Sequence, residues 1–444
     1  MQQYVIIGAG AAGAAAAEAI RSRDEQGKIL LVSEEPEGYY SRPGLAYVLT
    51  GELTEKQLFP FSPQDFRRLN IQPVYGRAVM IDRAGRQVLL QDGRHLDFDR
   101  LLIATGSQAA RVDMPNMDAE GVVKLDNIAD ARRILSLARK ARYAVIVGGG
   151  ITALEIVEGL SARGIKPDYF LRGDRYWSNV LDETESRIVE HKLKEEGVRI
   201  HYHTELAEVL TRKGRVSAIR TKDGRDLKCD LLAVAIGVKP RVELARTSGL
   251  RVDKGIWVDE TLQTSEPGIY AAGDAAEAFD PFTGRTQLNT LWPLARDQGR
   301  IAGLNMAAGD RKNGNGSGHT PYCNAIPFNV TRLGGLTTTI IGTVGRGRDE
   351  DLVGIARGDS ETWRQLPDAI AAQANFDVNR LRVLVSQQKL IGAVVMGDQT
   401  LSRPLQILID RQIDISPISE QLLQPDAPVA DILAEFWCQT RGCL

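Results

Sequence analysis

The chain has 444 residues, enough for two or three domains rather than one core. Its 43% hydrophobic and 25% charged residues are the balance of a soluble globular protein, and a formal charge of −2 leaves no basic field for nucleic acid or an anionic membrane. No apolar run approaches the roughly 18 residues needed to span a bilayer, and an opening strand followed at once by a glycine turn excludes a secretory signal, so a cytoplasmic protein is expected.

Residues 4–7 read as a short apolar strand and 11–23 as an alanine-rich helix. Between them stands Gly8-Ala9-Gly10-Ala11-Ala12-Gly13, a G-x-G-x-x-G pattern. Gly8 permits the tight turn, Gly10 lets the backbone approach a pyrophosphate, and Gly13 lets the helix pack closely on the sheet. The phosphate charge then meets the free N–H groups at the helix N-terminus. A second strand, 28–33, ends in Glu34 and Glu35, where a carboxylate is placed to accept hydrogen bonds from a ribose. Strand, glycine turn, helix, strand and terminal acid in that order predict a dinucleotide-binding unit.

The device recurs. A strand at 143–147 leads into Gly148-Gly149-Gly150-Ile151-Thr152-Ala153-Leu154-Glu155, a helix to about Arg163 and a strand at 168–171. Gly148, Gly150 and Ala153 take the three positions of the fingerprint. Two nucleotide folds in one chain point to hydride transfer between two bound nucleotides. The fold class is therefore α/β, with two Rossmann-like domains. Strand 168–171 ends without a carboxylate, and Arg172-Gly173-Asp174-Arg175 follows. A carboxylate there would repel a 2′-phosphate, whereas the Arg172 guanidinium can bind one; Asp174 on the ribose of NAD is the alternative.

The four cysteines, Cys229, Cys323, Cys438 and Cys443, are too sparse for a disulfide framework. His95, His191, His201, His203 and His319 are dispersed; His201 and His203 read as alternate positions of one strand, a polar sheet face rather than a metal site. Residues 310–319, rich in Gly and Asn, read as a flexible linker, and 346–351 as a solvated charge run. Near the end, Ile432, Phe436 and Trp437 suggest a docked helix face, with Cys438 and Cys443 open either as structural residues or as a redox pair.

These motifs, with Leu101-Leu102-Ile103-Ala104-Thr105-Gly106, Ala235-Ile236-Gly237-Val238-Lys239-Pro240 and Tyr270-Ala271-Ala272-Gly273-Asp274, resemble the two-dinucleotide-binding-domain flavoproteins related to the pyridine nucleotide–disulfide oxidoreductases. The C-terminal segments 330–344 and 390–398 resemble the small α+β domain of NADH:rubredoxin reductases and of the flavin portion of assimilatory nitrite reductase. The resemblance implies an FAD-binding domain from residues 1–113 and 240–309, an NAD(P)-binding domain from 114–239, and a C-terminal domain from 320–444. It implies FAD contacts at Gly8, Gly10, Gly13, Glu34, Glu35, Arg42, Pro43, Val79, Ala104, Thr105, Gly106, Gly237, Gly273, Asp274 and Trp292. For the nicotinamide nucleotide it implies Gly148, Gly150, Ala153, Glu155 and Arg172. After Trp292, Pro293 stands near a helix start with Gln298-Gly299-Arg300 behind it, and that helix N-terminus is expected to face the flavin.

One departure carries chemistry. Tyr40-Ser41-Arg42-Pro43-Gly44-Leu45-Ala46-Tyr47 occupies the stretch where coenzyme A-disulfide reductases carry a redox cysteine, and Pro43 stands at the matching position. Proline supplies no thiolate, so disulfide chemistry is not expected there. In the ferredoxin-reductase branch a lysine of this stretch pairs with the glutamate matching Glu155; here Tyr47 stands instead. The expected function is an FAD-dependent NAD(P)H oxidoreductase passing electrons to a small electron-transfer protein or partner subunit. A subunit of a larger redox complex and a reductase of a small molecule or oxygen are the alternatives, and a homodimer is allowed.

Overall fold

The computed structural model describes residues 1–280, 284–308, 318–323, 326–344, 353–357, 379–424 and 427–441. The chain forms two compact units: Met1–Arg111 with Leu125–Ile134 and Gly237–Asn324, and Val112–Lys124 with Leu135–Ile236 and Ala325–Leu444.

In the first unit, strand Gln3–Ile7 is buried on both faces from Tyr4 onward, the pattern of a central parallel strand covered by helices. It lies at the middle of a five-stranded sheet ordered Ile269–Ala271, Arg100–Ile103, Gln3–Ile7, Lys28–Ser33, Ile71–Tyr75. Every pairing in it is parallel. Parallel neighbours require crossovers, and helix Ala11–Arg23 supplies the one between Gln3–Ile7 and Lys28–Ser33. Alanine at six of its first seven positions keeps that helix slim, so helix Trp292–Ala308 reaches its backbone: a Cβ on Gly299 would lie 2.1 Å from the Ala12 carbonyl oxygen, and one on Gly303 2.4 Å from that of Ala16.

Segment Leu125–Ile134 packs with this unit although the sequence reading sets it in the second nucleotide domain. Its contacts explain the placement. The Ile128 N–H donates to the Tyr40 hydroxyl at 3.0 Å, and Arg132 pairs with Glu37 and Glu55, each at 2.5 Å.

The second unit repeats the design. Its five-stranded parallel sheet runs Arg199–His201, Asp168–Phe170, Ala144–Val147, Leu231–Val234, Val122–Val123. Helix Ile151–Ser161 is the crossover from Ala144–Val147. His201 and His203 do not share a strand face. The strand ends at His201, which meets Asp168 at 2.7 Å, and His203 turns away at φ 48. The strand stops because its neighbour Asp168–Phe170 stops, leaving the His203 N–H to close a turn on the Gly173 carbonyl at 3.1 Å.

The C-terminal part of the same unit is an antiparallel sheet ordered Phe328–Leu333, Leu336–Gly342, Lys389–Met396, Arg380–Ser386, Val353–Arg357. Helices Ser402–Asp410, Ser416–Leu422 and Val429–Thr440 share its core, Phe436 inside and Ile432 and Trp437 at its margin. Arg382 ties this sheet to helix Glu183–Glu195. Its Nε and Nη2 donate to the two oxygens of fully buried Glu185 at 2.8 and 3.0 Å, and Nη2 also reaches the Val180 carbonyl at 2.8 Å. Most of the expected linker, up to residue 317, the charge run 346–351 and Cys443 lie outside the described residues.

Candidate functional site

In the first unit the sequence-predicted residues gather where the parallel strands end at their carboxyl termini, the ordinary place for a ligand on an open α/β sheet. Gly8 follows Gln3–Ile7, Ala104-Thr105-Gly106 follow Arg100–Ile103, Ala272-Gly273-Asp274 follow Ile269–Ala271, and Glu34 and Glu35 follow Lys28–Ser33. The three fingerprint glycines differ in kind. A Cβ on Gly8 would stand 2.1 Å from the Ala104 carbonyl oxygen, at φ +114, and one on Gly13 1.9 Å from the Gly8 carbonyl oxygen. Both are demanded by the fold itself. A Cβ on Gly10 would meet no atom within 4 Å. Gly10 is also the N-cap residue, no side chain caps the helix behind it, and no acid stands in its first turn. Open backbone N–H groups beside a position that need not be glycine for the fold make a cradle for a bound pyrophosphate, so the residues present fit a dinucleotide.

Asp274 comes to the same end. Its Oδ2 accepts the Ser107 hydroxyl at 2.7 Å, and burial holds its carboxyl above the usual carboxylate range. Gly273, at φ +78, donates its N–H to Gln298 Oε1 at 2.8 Å. The two acids after the second strand have different surroundings. Glu35 is engaged by the Tyr40 hydroxyl at 2.6 Å and by Arg42; Glu34 meets Arg241 and, at 3.9 Å, Arg77. Arg241 also donates its N–H to the Gly106 carbonyl at 2.9 Å, while Thr105 Oγ1 donates to the Arg241 carbonyl at 2.7 Å. Arg241 and Ser107 therefore brace this end of the sheet without having been singled out from the sequence; each adjoins a quoted motif, the only signal that pointed to them.

The remaining expected contacts are spread more widely. Arg42 and Pro43 are exposed, Pro43 capping helix Gly44–Thr50. Val79 lies in strand Ala78–Asp82 of a separate antiparallel sheet, 43% exposed. Trp292 opens helix Trp292–Ala308, with Pro293 in the first turn and Arg296 over its ring at 5.1 Å. Gly237, at φ +106, accepts from the Ala110 N–H at 2.9 Å beside the strand pair Ser107–Ala109 and Val238–Pro240.

The second turn copies the first. A Cβ on Gly148 would stand 2.1 Å from the Ala235 carbonyl oxygen, and Gly149 and Gly150 have nothing within 4 Å. Ala153, fully buried, replaces the third glycine, and its methyl lies 3.1 Å from where a Gly148 Cβ would be. One turn along the helix, Glu155 has its carboxyl pushed up to about 8 by burial and by neighbouring Glu158. Among the described residues no ion pair joins it. Burial raises Glu158 to about 7, against the opposing pull of Arg332 and of the Gly335 N–H, which donates at 3.3 Å.

Arg172 is exposed beyond the end of Asp168–Phe170. Arg175 is turned inward and paired with Asp174 at 3.1 Å. The loop between them is pinned by Tyr176, whose N–H donates to Glu190 at 2.8 Å and whose carbonyl accepts from Ser186 Oγ at 2.7 Å.

Two glycine turns of one design, each at the carboxyl end of its own parallel sheet, define a protein that holds two dinucleotides. Residues 2–299 match the family described as pyridine nucleotide-disulphide oxidoreductase, and the chain belongs to that family. It is an FAD-dependent oxidoreductase that takes NAD(P)H as substrate. Subunit epsilon of the NADH-dependent phenylglyoxylate dehydrogenase of Aromatoleum evansii is 27% identical over 98% of both chains. The assimilatory nitrate reductase electron transfer subunit of Bacillus subtilis is 26% identical over the whole of this chain, which spans only 55% of that protein. Among solved structures, the covalent putidaredoxin reductase–putidaredoxin complex matches with a TM-score of 0.83 and 26% identity over 98% of both chains. No helix among the described residues is long and apolar enough to cross a membrane.

Proposed function

We propose that the chain passes electrons from a nicotinamide nucleotide, through FAD held at the Gly8–Gly13 and Gly273–Asp274 turns, to a small electron-transfer protein or a partner subunit. The observation that carries the reading is the pair of uncapped helix starts at Gly10 and Gly150, where an added Cβ would meet nothing within 4 Å, in a chain whose Tyr40–Tyr47 stretch has Pro43 where a redox thiol would stand. Once bound, FAD would supply the hydride-accepting and one- or two-electron chemistry that the side chains lack. The protein's own part is to bind and orient. The backbone N–H groups after Gly10 and Gly150 take the pyrophosphates. A carboxylate after strand Lys28–Ser33, Glu34 or Glu35, takes the adenosine ribose, and Asp274 the chain between phosphate and ring. The positive end of helix Trp292–Ala308 favours negative charge beside it.

The acceptor follows from the relatives. One relative covered end to end is named as a dehydrogenase subunit, another as an electron transfer subunit, and the putidaredoxin reductase is a complex with its redox protein. Without a thiol at position 43, a disulfide substrate has no partner for exchange. Arg172, in place of a carboxylate, favours NADPH over NADH. Cytoplasmic action, and a homodimer as the assembly to test by light scattering, belong to the same proposal.

An anaerobic titration tests the whole. Stoichiometric NADPH should bleach the bound flavin within seconds, and added redox protein should restore its colour at a saturable rate. Flavin that stays yellow in both NADPH and NADH would reject the reductase reading.

A further inference from the structure

Helix Trp292–Ala308 has two working faces. Gly299 and Gly303 lie against the Ala12 and Ala16 carbonyls of the helix that opens at Gly10, so close that no Cβ fits on either. On the adjoining face stand two buried amides, Gln298 and Asn305, each 1% exposed. Asn305 holds the segment behind it: its Nδ2 donates to the Thr261 and Thr320 carbonyls at 2.8 and 2.9 Å, and its Oδ1 accepts from the Thr320 N–H at 2.7 Å. That brings in Tyr322, whose hydroxyl accepts from Gln298 Nε2 at 3.5 Å. The amide orientation is then set, because the Gly273 N–H can only donate and must face the Gln298 carbonyl end, at 2.8 Å.

Gly273 accepts the Ala276 N–H on its carbonyl and gives its own N–H to Gln298. It sits at φ +78, and its would-be Cβ points at the Ala12 methyl at 3.2 Å. One helix thus grips both glycine turns, the first through Gly299 on Ala12 and the second through Gln298 on Gly273. We propose that Gln298 is the positioning residue of the Gly273–Asp274 turn, fixing where the Asp274 carboxyl stands relative to the first glycine turn and thereby how tightly FAD is held and how its ring absorbs. The proposal rests on the reading that both turns hold FAD.

Apoprotein titrated with FAD tests it, following flavin fluorescence and the visible spectrum of each loaded variant. Gln298→Leu keeps the side-chain volume and removes the acceptor, leaving the buried Gly273 N–H unpaired; FAD should bind about tenfold more weakly, with a shifted flavin band. Gln298→Glu keeps an acceptor oxygen at the same reach and should bind within about twofold of wild type. Should the leucine variant not fold, Tyr322→Phe, which removes the acceptor of the Gln298 Nε2 and so loosens the side chain that holds Gly273, should weaken FAD in the same direction by roughly threefold. A Gln298→Leu protein with wild-type FAD affinity and spectrum, whatever its melting temperature, overturns the proposal. So does a glutamate variant as weak as the leucine one. Gly10→Ala is measured beside them. If it also binds FAD like wild type, the assignment of the turns has failed; if it alone loses FAD, only the role of Gln298 has.

Discussion

Replacing Gly10 with alanine separates what the fold needs from what the ligand needs. The added methyl has no heavy atom within 4 Å, and Gly10 sits at φ −83, where any residue is at ease. The apoprotein should therefore keep its stability within about 1 kcal/mol, with a small gain from the stiffer unfolded chain. Bound pyrophosphate is another matter. The helix behind Gly10 offers uncapped N–H groups, and charge-assisted bonds of this kind contribute about 1.5–3 kcal/mol each. A methyl that displaces the phosphate from two of them costs about 3–6 kcal/mol, or roughly two to four orders of magnitude in Kd. The same change at Gly13 puts a Cβ 1.9 Å from the Gly8 carbonyl oxygen and should lower the melting temperature of the apoprotein outright. Calorimetry of the apoproteins and FAD titration by fluorescence read the two effects separately. The reasoning is refuted if Gly10→Ala binds FAD within threefold of wild type, or if it melts as early as Gly13→Ala.

Four further outcomes follow from the same geometry. Gly150→Ala, equally free of contacts within 4 Å, should copurify with full FAD yet bind NAD(P)H at least tenfold more weakly; loss of the flavin would contradict the division of labour between the turns. Arg382→Leu leaves buried Glu185 with only the more distant Arg380, at 3.9 Å, and should cost about 3 kcal/mol in urea unfolding, with much of it recovered when Glu185 is also made leucine. Arg172→Glu should lower kcat/KM for NADPH by roughly tenfold or more while sparing NADH; a wild type that prefers NADH, and a variant that changes little, would remove Arg172 from nucleotide choice. Glu155, at about 8 in the folded apoprotein against an ordinary 4.5, holds its proton where the unfolded chain has released it. Stability therefore falls as pH rises between those values, at up to about 1.4 kcal/mol per unit. Glu155→Gln should flatten that slope in urea titrations at pH 5 and 8, and an unchanged slope would place the titration elsewhere.

The two glycine turns were legible in the sequence because their constraint is local: a strand, a turn without side chains and a helix lie within a few residues, and each glycine answers to backbone atoms close by. Even so, the pattern weighs all three glycines alike, and the structure does not. Gly8 and Gly13 are fixed by carbonyl oxygens within about 2 Å, whereas Gly10 is free. The residues that hold the turns in place were not legible, for the opposite reason. Ser107 meets Asp274 across 167 residues, and Arg241 meets Glu34 across 207. Nothing in local spacing encodes such pairs. His203 shows the same limit from the other side: alternation with His201 suggested one strand face, but a strand lasts only as long as its neighbour, and that neighbour ends at Phe170.

Gln298 is the instructive middle case. It was visible as part of a glutamine–glycine–arginine run behind a proline-started helix, and a helix reading gives it a face. What it cannot give is the opposite partner, because Gly273 presents only a backbone N–H, which leaves no trace in the identity of a residue. A side chain that serves the backbone of a distant turn therefore reads as an ordinary buried polar residue until the turn is seen. Here the same helix carries Gly299 against Ala12, so moving it to relieve one contact would disturb the other. A substitution at Gln298 should consequently be felt at Asp274 before it is felt in the packing against Ala12. Flavin affinity, more than melting temperature, is the quantity in which that order of effects can be read.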